Sequence, residues 1–170
     1  MLVNSGQTCT ALTRLVVPRD RLAEATEVAA SRLSEAVVGH RDDPGAHLGP
    51  VVSAAQRERV RRLVDGGIQQ GARLVTGGTA PPAGLERGFY VRPTLLGEVT
   101  ADMTVAQEEG FGPVLALMAH DGPDSAVAIA NATPYGLSGA VWGGDLDRAV
   151  NVVRPIWRSE ERRVGKECRS

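Results

Sequence analysis

The hydrophobic and polar positions of this chain follow two different periods, which predicts alternating strands and helices. Residues 14–18 form a short run rich in β-branched side chains, and the segment after it places apolar side chains at helical spacing. These positions are Leu22, Ala25, Ala29, Leu33 and Val37. The pattern predicts a strand followed by an amphipathic helix that ends at Gly39.

A second helix is predicted after a polar loop that proline and glycine interrupt. Ser53 is followed three positions later by Gln56, which is typical of a capping box at a helix start. Apolar side chains of residues 60–68 then recur at helical spacing until Gly71 ends the helix. Residues 72–76 are predicted to form the next strand.

The middle of the chain carries two further apolar runs. Residues 89–96 have an extended pattern, in which Pro93 favours a bend or an edge position because proline has no N–H to donate. Residues 114–118 are continuously apolar, which is typical of a strand covered on both faces. We therefore expect the second run to lie in the centre of a sheet.

The last third of the pattern continues the alternation. A helical stretch follows Asp124, residues 137–142 are predicted to form a strand, and Asp145 is predicted to cap a helix that runs through Val153. Strands that alternate with helices at this spacing predict an α/β fold. We expect a three-layer domain with a mainly parallel sheet flanked by helices.

Composition narrows the class of protein. The 170 residues are 42% hydrophobic, enough for a buried core, and 19 basic against 20 acidic side chains give a net charge of −1. This balance argues against a nucleic-acid partner. The sequence has no signal-peptide pattern and no run long enough to span a membrane, so we expect a soluble cytoplasmic protein. The two cysteines and three histidines lack ligand spacing, and no metal site is predicted.

Cys9 is the first candidate for chemistry. It lies among small and polar residues, Asn4-Ser5-Gly6-Gln7-Thr8-Cys9, rather than on an apolar face. If the turn at Ser5 and Gly6 opened a helix, backbone N–H groups would stabilise a thiolate and an oxyanion there. The alternative is that Cys9 is a small buried hydrophobic residue with no catalytic role.

The second candidate is the cluster at residues 107–114, where Glu108, Glu109 and Phe111 lead directly into the predicted central strand. Ligand sites in open α/β sheets usually lie at the carboxyl ends of strands, whereas this cluster precedes its strand. The alternative interpretation is a solvated acidic turn with Phe111 packed beneath it.

These segments together resemble the aldehyde dehydrogenase superfamily. NSGQTC followed by ALTRLVV resembles its catalytic-cysteine segment, and EEGFGPV resembles its second signature. The stretches HLGPVVSAAQRERV, GFYVRPTLL and NATPYGLSGAVW also resemble the family, in the right order and spacing. The resemblance extends over residues 3–157.

The resemblance implies a role for three residues. Cys9 matches the nucleophile that attacks an aldehyde, so that the aldehyde is oxidised to a carboxylic acid through a thiohemiacetal and a thioester while NAD or NADP accepts the hydride. Glu109 matches the carboxylate that binds the nicotinamide ribose, and Phe111 matches the aromatic that positions the nicotinamide ring. Gly110 departs from the family, which usually has an aliphatic residue or threonine there.

The resemblance also implies that parts of the family's machinery lie outside these residues. The dinucleotide-binding domain, the asparagine of the oxyanion hole and the general-base glutamate have no counterpart here, so we expect the isolated chain to be inactive. Two alternatives stay open: a non-catalytic binding or assembly fragment that retains the fold, and a coenzyme A-acylating relative. The resemblance implies a small aldehyde as substrate and homo-oligomers among full-length relatives. The charge balance and the lack of a long apolar run predict no nucleic-acid or membrane partner.

The C-terminal residues break the pattern. Lys166 is the only lysine of the chain, and no family motif fits the charged residues 158–170. We therefore divide the chain into a partial catalytic domain, residues 1–157, and a tail, residues 158–170, which we hypothesise to be foreign to the gene.

Overall fold

The computed structural model of the protein describes residues 1–156, which build one four-stranded sheet between helices. In sheet order the strands are β1 (Arg14–Pro18), β4 (Val114–His120), β3 (Thr94–Gly97) and β2 (Arg73–Thr76). Strands β1 and β3 run parallel to the central β4, and β2 pairs antiparallel with β3. The predicted α/β fold with a mainly parallel sheet is confirmed.

Five α-helices accompany the sheet in residues 1–156, and a side chain caps the N-terminus of two of them. Ser53 Oγ accepts a hydrogen bond from the Gln56 N–H at the start of α2, and the Asp145 carboxylate does the same for the Arg148 N–H at α5. The positive φ of Gly71, 106°, lies just after α2, as its predicted end requires. The helices are α1 (Leu22–Ser34), α2 (Ala54–Gln69), α3 (Thr104–Gln107), α4 (Pro123–Asn131) and α5 (Leu146–Val153).

The sheet is buried on both faces because successive side chains of its strands point to opposite sides. On one face Leu95 and Leu117, both fully buried, pack with Leu33 of α1. On the other face Leu96, Ala116 and Met118 pack with α2 through a cluster that includes Val60 and Val64. The continuous apolar run at residues 114–118 is thus the covered central strand that the sequence predicts.

Two elements differ clearly in their bounds from the sequence prediction. Helix α1 ends at Ser34 rather than at Gly39, because the backbone of residues 37–39 instead pairs with residues 47 and 48, with Gly39 N donating to Leu48 O over 2.9 Å. The extended run is predicted at 89–96, whereas strand β3 is Thr94–Gly97 and so begins later and ends at the next residue. Proline at position 93 cannot donate to a strand ladder, which is consistent with the later start.

The predicted strand at residues 137–142 is wrong. Within residues 1–156 the sheet has four strands, and none of them includes this segment. Leu137 and Trp142 are exposed, with Trp142 at 76% of its full accessibility. A β-pattern becomes a strand only where a neighbouring strand pairs with it, and the four strands of the described sheet pair only with one another.

The proposed division of the chain at residue 158 concerns a region outside the described residues, and Lys166 and Cys168 lie there too. Among residues 1–156, no helix is both long and apolar enough to cross a membrane.

Candidate active site

The fold brings the two candidate segments to one edge of the sheet. Because β1 and β4 are parallel neighbours, the segments that precede them lie at the same edge, the amino-terminal one. Cys9 precedes β1, and Glu109 and Phe111 precede β4. The sequence placed each candidate before a strand, and the parallel pairing makes the two segments neighbours.

Cys9 is exposed and its thiol is free. It lies in a turn that the Ala11 N–H closes by donating to Thr8 O over 3.0 Å. The only helical segment before β1 is a short 3-10 helix at Val3–Gly6, which ends before Cys9. The expectation of a helix carrying Cys9 is therefore wrong, as is the alternative of a buried cysteine.

The backbone before Cys9 has an unusual conformation. Asn4, Ser5 and Gly6 have φ values of 51°, 53° and 75°, all in the left-handed region. Such values cost energy for residues other than glycine and persist only where surrounding contacts hold them. Here the Ser5 hydroxyl donates to Gly49 O over 2.9 Å, and Gln7 Oε1 accepts from the Val52 N–H over 2.8 Å.

Direct backbone packing joins this segment to the second cluster. A Cβ atom added to Gly6 would lie 2.2 Å from the carbonyl carbon and oxygen of Gly112 and 2.7 Å from Pro113 N. Real Cβ atoms do not approach backbone this closely, so only glycine fits at position 6. The segment just before the turn of Cys9 and the loop of Glu109 and Phe111 therefore touch through two glycines.

Side chains of α2 hold the second cluster. Gln56 Nε2 donates to Gly110 O over 2.8 Å and to Phe111 O over 2.9 Å, and Arg59 Nη2 donates to Glu109 O over 2.7 Å. Phe111 has a φ of 50° and is half-buried. Three successive carbonyl groups thus receive hydrogen bonds from one helix.

The acidic side chains of the cluster face outward. Glu108 and Glu109 are exposed, and they line a shallow groove together with Arg59, Arg62, Leu63 and Thr104. Within residues 1–156, the Glu109 carboxylate has neither an ion pair nor a side-chain hydrogen bond. Gly110 suits its place, because an added Cβ would lie 2.7 Å from Leu63 Cδ2.

These residues fit one end of a nicotinamide cofactor. An exposed carboxylate without a partner is able to accept hydrogen bonds from ribose hydroxyls, and a half-buried aromatic two residues away offers a surface for a flat ring. By contrast, the part of the chain that the structure describes contains no group of three metal-ligating side chains. His120 Nδ1 accepts the N–H of Gly122 two residues further on, and His47 Nδ1 accepts the N–H of Val37 in the paired segment.

Sequence reasoning missed Gln56, Arg59 and the hydroxyl of Ser5 as parts of this site. Gln56 was interpreted only as a capping partner, yet its amide reaches carbonyls 54 and 55 positions away. Nothing in local spacing signals such contacts, because they depend on how α2 packs against the loop before β4.

Comparison with known proteins identifies the class to which this α/β fold and its two neighbouring loops belong. The model of the aldehyde dehydrogenase family matches residues 1–160. The chain therefore belongs to the aldehyde dehydrogenase family.

Two curated relatives share 40% identity over 156 residues, which cover 92% of this chain and 33% of each relative. One is a putative aldehyde dehydrogenase of Staphylococcus saprophyticus, and the other is a 3-succinoylsemialdehyde-pyridine dehydrogenase of a Pseudomonas species. The chain thus spans about a third of the length of the curated relatives it matches.

Solved structures agree with this assignment. A cysteine-to-alanine mutant of aldehyde dehydrogenase C from Pseudomonas syringae, in complex with NAD+ and octanal, is 47% identical, with a TM-score of 0.88 over 91% of this chain and 32% of that one. An aldehyde dehydrogenase of Mycobacterium tuberculosis in complex with NAD+ is 41% identical, with a TM-score of 0.87 and the same coverage of both chains.

Proposed function

We propose that this chain carries the nucleophile and the nicotinamide-contacting loop of an NAD(P)-dependent aldehyde dehydrogenase. The observation that carries the proposal is the packing of Gly6 against Gly112, which sets the Cys9 turn beside the Glu109 loop. A thiol and a cofactor must meet at one substrate carbon for hydride transfer to occur. Neighbouring loops at one edge of the sheet meet that requirement.

In this proposal Cys9 is the catalytic nucleophile. Its sulfur forms a bond to the aldehyde carbon, and the carbonyl oxygen takes up a proton to give a thiohemiacetal. A hydride leaves that carbon and the hydroxyl proton is released, which gives a thioester. Water then replaces sulfur, so that a carboxylic acid leaves and the thiol is restored. The exposure of Cys9 allows a substrate to reach it.

Glu109 and Phe111 would hold the cofactor, which supplies the hydride acceptor when it is bound. The Glu109 carboxylate would accept hydrogen bonds from the nicotinamide ribose, and Phe111 would position the nicotinamide ring. The NAD+ complexes of the two solved relatives support this class of cofactor. Either NAD or NADP would serve as the acceptor in this proposal. The proposal also includes a cytoplasmic location, homo-oligomers among full-length relatives and the division of the chain into residues 1–157 and 158–170.

The reactivity of Cys9 tests the nucleophile. In the full 170-residue chain, iodoacetamide at neutral pH is expected to alkylate Cys9 faster than Cys168, as measured by peptide mass spectrometry. Cys168 serves as the internal control, since both thiols belong to one molecule. An inert Cys9 in a folded chain would support the non-catalytic binding or assembly fragment instead.

A chimera tests the reaction. Residues 1–156 would replace the matched third of the Pseudomonas syringae enzyme, with NAD+ reduction measured in the presence of octanal. We expect activity that Cys9→Ser lowers by at least about 10³-fold, since removal of a covalent nucleophile typically costs this much or more. A folded chimera without activity would contradict the proposal.

A further inference from the structure

Gln56 does not play the part that its position in the capping pattern predicts. It occupies the third helical position of α2, where a capping-box side chain reaches back to the N–H of the cap residue. One half of that box forms, in which Ser53 Oγ accepts from the Gln56 N–H over 3.1 Å. The side-chain amide of Gln56 instead donates both of its hydrogen bonds to the loop before β4.

Those two hydrogen bonds lie where the loop needs them. Phe111 has a left-handed φ of 50°, a conformation that a bulky residue adopts only under external constraint. The carbonyl groups on both sides of this φ, those of Gly110 and Phe111, are the two acceptors of the Gln56 amide. One side chain of α2 therefore holds the backbone that sets the positions of Glu109 and Phe111.

The constraint continues from that loop to Cys9. The next residue, Gly112, packs on α2 so closely that an added Cβ would lie 2.5 Å from Val60 Cγ2. Its carbonyl group is the one against which Gly6 packs. A chain of contacts thus runs from Gln56 through the loop to Gly6 and the turn of Cys9.

We propose that Gln56 is a positioning residue that fixes the loop of Glu109 and Phe111 and, through the Gly112–Gly6 contact, the turn of Cys9. The proposal rests on the proposed function for the roles of those three residues. Gln56 itself acts through the backbone of the loop.

Substitutions at position 56 in the full 170-residue chain test this proposal. Gln56→Met keeps the length and helical preference of the side chain but removes both donors. Gln56→Glu also removes them, while glutamate at this position supports the start of the helix. Gln56→Lys restores a donor. Arg61→Met is the matched control, because Arg61 lies on the same helix and donates only to Glu58.

Two readouts separate positioning from general stability. A glutamate-specific protease reports opening of the loop by cleavage after Glu109, with cleavage after the exposed Glu86 as internal reference. We expect Gln56→Met and Gln56→Glu to raise the ratio of these cleavage rates by about tenfold and to change the alkylation rate of Cys9 by at least about threefold. Gln56→Lys should bring both values back toward wild type, and Arg61→Met should change neither.

Unchanged cleavage after Glu109 would overturn the proposal, and so would faster cleavage with an unchanged rate at Cys9. If Gln56→Met unfolds, cleavage after Glu86 rises as well. The same two measurements on Gln56→Glu then test the proposal. An inert Cys9 in the wild-type chain would count against the proposed function alone, because the cleavage ratio still reports the loop.

Discussion

The two edges of the parallel strands are built differently. At the amino-terminal edge, backbone packs on backbone at Gly6 and Gly112, and α2 supplies donors to the partly buried carbonyls of Gly110 and Phe111. At the carboxyl-terminal edge, β1 and β4 are joined by the ion pair of Arg19 and Asp121, whose side chains are both 62% exposed. Tight packing fixes positions, whereas exposed ion pairs contribute little. The rigid edge is the one that carries the candidate residues.

The largest expected effect is at Gly6. Gly6→Ala places a Cβ 2.2 Å from Gly112 backbone at a φ of 75°, whereas Gly84→Ala meets open space at a φ of 76°. We expect Gly6→Ala to lower the free energy of unfolding by more than about 3 kcal/mol, and Gly84→Ala by only about 1 to 2 kcal/mol. Urea denaturation measures both. Equal losses would show that backbone conformation alone, and not the contact between the loops, makes glycine necessary.

An intermediate effect is expected at Thr94, where β3 begins at the same edge. Its fully buried hydroxyl donates to Arg92 O over 2.9 Å and accepts from the Gly78 N–H over 3.0 Å. Thr94→Val leaves both groups without a partner, which costs about 1 to 3 kcal/mol.

The matched control for this substitution is Thr100→Val, which lies beyond the other end of β3 and is exposed. Its hydroxyl donates to Asp102, but water can replace this exposed hydrogen bond, so we expect a change within about 0.5 kcal/mol there. Similar losses for the two variants in thermal or urea denaturation would contradict the contrast between the edges.

The smallest effect is expected at the ion pair. The hydrogen bond from Arg19 holds the pKa of Asp121 below its usual value of 3.8. Because the pKa is lower in the folded than in the unfolded chain, the stabilisation is fully present above the unfolded value and is lost as pH falls through the folded one. Asp121→Asn should therefore lower stability slightly at neutral pH and not in strong acid. A difference from wild type that grows on acidification would contradict this.

Most secondary structure followed from local pattern. The apolar run at 114–118 became the buried strand β4, and the caps at Ser53 and Asp145 formed as predicted. Failures occurred where a distant partner decides the outcome. Residues 137–142 have a strand pattern but no neighbouring strand within the described sheet, and residues 37–39 leave the helix to pair with residues 47 and 48.

The candidate site shows the same division. Cys9, Glu109 and Phe111 are candidates that the sequence supplies, since their immediate neighbours and the family resemblance single them out. Gln56 was not recognised, because a glutamine at this position is equally suited to a local capping box and to hydrogen bonds with a distant loop. Its choice between them depends on where α2 lies relative to β4.

The sequence by itself determined the family, the alternation of strands and helices, and the residue types available for chemistry, because these depend on side chains and their spacing along the chain. Only the tertiary structure decided that Cys9 lies in an exposed turn without a helix and that its loop rests on Gly112. Such contacts join residues about a hundred positions apart, and parallel pairing of β1 with β4 is the physical cause of their meeting.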